Sequence, residues 1–67
     1  MNWREVADIL TANGFVEVRT GKHKVFHGTV GGLSRTVPIP VHSKDIPVGT
    51  LAGMIRQSGL DRSLFEK

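Results

Sequence analysis

Apolar residues return every three or four positions at the start of the chain, as Trp3, Val6, Ile9 and Leu10 in "NWREVADILTANG". At 3.6 residues per turn these four fall on one face, which predicts an amphipathic helix. Its ends are marked as well. Asn2 can cap the first turn, Glu5 stands three residues on as in a capping box, and Gly14 can take the left-handed conformation that ends a helix. The helix is expected from Trp3 to Asn13, with Trp3 packing in or at the rim of a core rather than offering a platform for a nucleobase.

The period changes at Phe15. "FVEVRT" is rich in β-branched and aromatic residues, and so is "GKHKVFHGT" behind it, which predicts two strands joined by a turn at Thr20 to Lys22. A third strand is expected in "GGLSRTVPIPVH", entered through Gly31 and Gly32. Pro38 and Pro40 have no N–H to give a ladder, so the second half of that strand belongs at a sheet edge or already in a loop. Connections this short leave no room for crossovers, and the three strands must be antiparallel. Farther on, Pro47 stands near a helix start, Val48, Leu51, Ala52 and Ile55 share a face, and Gly59-Leu60 forms a stop, which predicts a second helix from Pro47 to Ser58. "DRSLFEK" offers a last turn capped by Asp61 with Leu64 and Phe65 as its apolar side, or else frays.

The resulting order, α-β-β-β-α, is an α+β fold in which both helices cover one face of a three-stranded antiparallel sheet and the other face stays wet. A chain of 67 residues is expected to form a single domain, 1–67, and a domain of this size buries only about 60% of its unfolded surface. Without cysteine its core rests on packing alone, which suits a reducing cytoplasm. "MNWREVADIL" reads as neither a signal peptide nor a membrane span, so a soluble protein with no membrane partner is expected.

Nine Lys and Arg against six Asp and Glu give a formal charge of +3. Position says more than the total. Arg19, Lys22, Lys24, Arg35 and Lys44 occupy the middle of the chain with no acidic residue between Arg19 and Lys44, a pattern that favours a polyanionic partner such as nucleic acid. The competing reading is a solvated strand face.

Two of the three histidines lie in "GKHKVFH". On a strand His23, Val25 and His27 point one way and Lys22, Lys24 and Phe26 the other. Four residues at ~3.3 Å each separate the two rings by roughly 13 Å along the strand, too far for both to hold one zinc ion, and no metal or other cofactor is expected. A nucleophilic triad is excluded by the lack of cysteine, of a Gly-x-Ser-x-Gly elbow and of a serine beside either histidine. Gly31-Gly32 lacks the Gly-Lys-Ser/Thr ending of a phosphate-binding loop. A histidine among cations does suit one reaction, cleavage of RNA by its own 2′-hydroxyl, in which the protein need only move protons and neutralise charge at phosphorus. Against it stands the plainer reading of a polar residue on a wet strand.

"ILTANGFVEVRTGKHKVF" followed by "VPIPVHSKDIPVGTLAGMIRQSGL" resembles the HicA family of toxin ribonucleases from toxin–antitoxin pairs, over nearly the whole chain. The resemblance is carried by Asn13-Gly14-Phe15, the Gly-x-His of Gly21 to His23 leading to Phe26, the Val-Pro run reaching His42, Gly49-Thr50-Leu51, and Arg56-Gln57-x-Gly59-Leu60. It implies a fold like the double-stranded RNA-binding domain. It also implies the toxin of a type II toxin–antitoxin system, a metal-independent endoribonuclease that cuts mRNA with His23 as its catalytic residue and is silenced by a HicB-type antitoxin. Lys22, Lys24, Arg35, Lys44 and His42 are then candidate RNA-binding residues. Two features depart from the family pattern: Lys22 stands where a small polar residue is common, and Pro38 and Pro40 are paired where one proline is usual. The alternative is a non-catalytic module that grips duplex RNA by shape and phosphate contacts. A third reading is an interaction domain whose basic face meets an acidic protein.

Overall fold

The computed structural model describes residues 1–41 and 45–66. Helix α1, Trp3–Ala12, begins on the expected capping box: the Glu5 N–H donates to Asn2 Oδ1 at 2.9 Å, and the Asn2 N–H donates to Glu5 Oε2 at 3.1 Å. Gly14, at φ +91, then turns the chain, and Phe15 drops into the core instead of opening a strand. Strand β1, Val16–Arg19, is therefore shorter than the pattern suggests.

Strands β2, His23–Val30, and β3, Leu33–Pro40, form a long hairpin. Its two-residue loop, Gly31-Gly32, has both φ angles positive, +62 and +79, the backbone that matches strand twist and that glycine adopts freely. The sheet order is β1-β2-β3, antiparallel throughout, so β3 is an edge strand. Both prolines lie inside it, opposite Val25 and His23. The Val41 N–H donates to the Lys22 carbonyl; amides two apart face the same neighbour, so Val37 and Ile39 bond inward while Pro38 and Pro40 turn their nitrogens to the free edge.

Helix α2, Val48–Ser58, ends on Gly59 in the left-handed conformation, φ +71. Its buried face differs from the sequence expectation. Met54 and Ser58 face the core, Leu51 and Ile55 pack only partly against it, and Val48 is 81% exposed. The reason is local satisfaction of a polar group: the Ser58 hydroxyl donates to the Ile55 carbonyl at 2.6 Å and accepts from the Leu60 N–H at 3.1 Å, so it can be buried without an orphaned donor. A 3-10 turn, Arg62–Phe65, is capped by Asp61 as expected, and buries Phe65 while Leu64 stays exposed.

Val6 and Leu10 of α1, Phe26 of β2, Val37 and Ile39 of β3 and Met54 of α2 meet with Phe15, Ile46 and Phe65 in one apolar core. Both helices thus bury against the same alternate residues of the sheet. The opposite face, bearing Val16, His23, His27 and Thr36, remains exposed.

Candidate functional site

The register fixes which side each candidate side chain occupies. Phe26 pairs with Glu17 and Val37 and points into the core, so by strand alternation His23, Val25 and His27 lie on the open face. His23 is exposed and opens β2 directly behind the exposed Gly21-Lys22 turn. His27 lies opposite Thr36, with its Nδ1 at 3.3 Å from the Thr36 hydroxyl. A break in register between Glu17 and Arg19 bulges Val18 outward and sets Arg19 opposite Val25, on the histidine side.

The predicted basic cluster does not stay together. Lys24 points to the helix side, where its Nζ sits 3.1 Å from Glu17 Oε2 and 5.5 Å from the centre of the Trp3 ring, with 21% of the side chain exposed. Arg4 approaches the same indole at 5.1 Å, and Trp3 packs at the rim of the core. The Glu17 carboxyl is held below its ordinary pKa by hydrogen bonds from Thr20 and Lys24. Arg35 also lies on the helix side, opposite Gly28. Its Nε is buried without a hydrogen-bond partner, and its guanidinium lies against the Cα of Gly59, where an added Cβ would meet it at 2.8 Å. Of the nominated cations, Lys22 shares the exposed turn with His23. Lys44 and His42 lie outside the described residues.

What His23 does meet is a groove that sequence reasoning missed. The imidazole stands at an opening of about 440 Å³ between the β3 edge, represented by Pro38 and Pro40, and one side of α2, represented by Gly49, Thr50, Gly53, Arg56 and Gln57, with Met54 beneath. Among the described residues that line it, none is acidic. Within the sheet, Glu17 is the one acidic residue from 16 to 40, and it is turned to the helix side by Lys24. A signal for the groove is present in the sequence, since Gly49, Gly53 and Gln57 recur every four residues on a helix, beside the stronger apolar stripe of Val48, Leu51, Ala52 and Ile55.

Among the described residues, the His23 ring has no hydrogen-bond or ion-pair partner, which leaves both ring nitrogens available to a ligand. No three His, Asp or Glu side chains among the described residues gather as a metal-binding set. Among the described residues, no helix is long and apolar enough to cross a membrane.

The fold and groove together define a small α+β protein in which, among the described residues, an imidazole without a hydrogen-bond or ion-pair partner lines a cleft that has no acidic residue. A family model described as "HicA toxin of bacterial toxin-antitoxin" matches residues 3–60, and the chain belongs to that family of toxin–antitoxin toxins. No curated protein matches the chain. Several residues of the segments that carried the resemblance, His23, Pro38, Pro40, Gly49, Thr50, Arg56 and Gln57, lie far apart in sequence and line the one groove.

Proposed function

We propose that the chain, as one toxin domain, is an endoribonuclease that cuts mRNA in the cytoplasm, with His23 as its proton-transfer residue and a HicB-type antitoxin as its inhibitor. The observation that carries this reading is the exposed His23 at a groove where, among the described residues, the imidazole has no hydrogen-bond or ion-pair partner and no carboxylate lines the wall. A ring nitrogen of His23 takes the proton of a ribose 2′-hydroxyl, the 2′-oxygen attacks the adjacent phosphorus, and the bond from phosphorus to the 5′-oxygen breaks. The departing oxygen receives a proton from the imidazolium or from water, leaving a 2′,3′-cyclic phosphate and a 5′-hydroxyl. Because the substrate supplies the nucleophile, the protein's work is proton transfer and stabilisation of charge on the phosphoryl oxygens.

Among the described residues, Lys22, exposed next to His23 in the chain, and Arg56, on the groove wall, are the cations this reading assigns to neutralise that charge. Lys24 and Arg35 serve this reading less directly, since one is tied to Glu17 and the other lies beneath Gly59. An antitoxin that covers His23 closes the mouth of the groove and silences the enzyme at one stroke.

Growth of cells induced for the chain, alone and together with a HicB-type partner, tests the reading. Induction alone should arrest growth and deplete mRNA, the partner should relieve both, and His23→Ala should do neither harm. A folded His23→Ala variant that still arrests growth overturns the assignment.

A further inference from the structure

We infer that the α2 wall of the groove seats one unpaired nucleotide beside the bond whose cleavage His23 promotes, so that RNA is taken as a single strand and its base is read by Gln57. The inference deepens the ribonuclease reading and rests on it for the position of the cut.

The groove has the chemistry of a nucleotide site on three sides. Pro38 and Pro40 on the β3 side, with Met54 beneath, give it an apolar surface suited to the flat face of a base and of no use to a phosphate backbone. Gln57 brings an amide, which donates and accepts at once and so matches the mixed edge of a nucleobase. Arg56 and His23 bring positive or proton-exchanging groups, and no carboxylate lines the cleft to repel a phosphate. A duplex keeps its bases stacked and shows a protein mainly sugars and phosphates, leaving such a surface unused.

Gly53 is the telling residue. It occupies the middle of α2, where glycine is a poor helix former. Neither backbone nor packing demands it: its φ is not in the left-handed region, and an added Cβ would meet nothing within 4 Å. Its bareness leaves the groove wall open one helical turn from Gln57.

The test measures binding of a labelled single-stranded oligoribonucleotide with 2′-O-methyl riboses, which cannot be cut by its own hydroxyls, and of the same strand annealed to its complement. The complete chain should prefer the single strand by about tenfold, the scale of one stacked or well hydrogen-bonded base. Gly53→Leu, which fills the groove with a good helix former, should keep its circular dichroism and lose about tenfold in single-strand affinity. Gly53→Ala should show a smaller loss in the same direction. Gln57→Ala should still cut a transcript but with a broadened pattern of cut sites. Folded Gly53 variants that bind and cut as the wild type does, or a duplex that binds as well as the single strand, overturn the inference. Binding of the uncuttable strand reports on the groove whether or not a bond is broken, so a wild type that cuts no RNA strikes the ribonuclease reading alone.

Discussion

An alanine Cβ at Gly28 would lie 2.8 Å from Cγ of the buried Phe15 ring, and that ring has nowhere to go in a packed core. Gly28→Ala should therefore lower stability by about 1–3 kcal/mol, the usual scale of overpacking, measured by urea denaturation. Glu17 gives a pH signature. Hydrogen bonds from Thr20 and Lys24 lower its carboxyl pKa below the ordinary 4.5, so its stabilising contribution is complete above that value and fades as the pH falls through the lower folded value. Thermal melts between neutral pH and pH 3 should show a shallower acid decline for Glu17→Gln than for the wild type. At this scale the sequence was a partial guide. Strand alternation put His23 and His27 together on the open side, but it could not say that Lys24 would find Glu17 and Trp3, or that Arg35 would run beneath Gly59, because cross-strand and helix–sheet partners depend on register and docking angle.

Helix α1 shows how an element can be legible almost to the residue, expected from Trp3 to Asn13 and found over Trp3–Ala12 with Asn13 as its C-cap. Asn2, Glu5 and Gly14 act within a few positions of themselves, and all three do as their types predict. Asn2→Ala should cost about 1 kcal/mol through loss of the cap, seen as a lower melting temperature. The Gly31-Gly32 turn was legible for the same reason. Helix α2 was not, because its stripe of Val48, Leu51, Ala52 and Ile55 competes with a face built on Met54 and a self-satisfied Ser58. Tertiary packing chose between them. Gly53→Ala isolates the functional share of this helix: it should stabilise the fold by up to about 1 kcal/mol while weakening single-strand binding, a gain and a loss that a purely structural glycine would not combine.

At the scale of the whole molecule, three separate parts of the chain come together: His23 at the start of β2, the proline-bearing edge of β3 and the bare side of α2. The fold order was readable because every connection is short and every helix end is marked, whereas the groove exists only once α2 is laid beside β3. Its position next to His23 gives the imidazole a substrate to act on and gives the substrate a reason to be single-stranded. The most direct test uses one short RNA containing a mapped cut site, compared with the same strand bearing a single 2′-deoxyribose just before the scissile phosphate. The wild-type chain should cut the first to a 2′,3′-cyclic phosphate and leave the second intact, and folded His23→Ala should cut neither. Cutting of the deoxy-substituted strand at the same bond would contradict the account, since the attacking oxygen would then have come from somewhere other than the RNA.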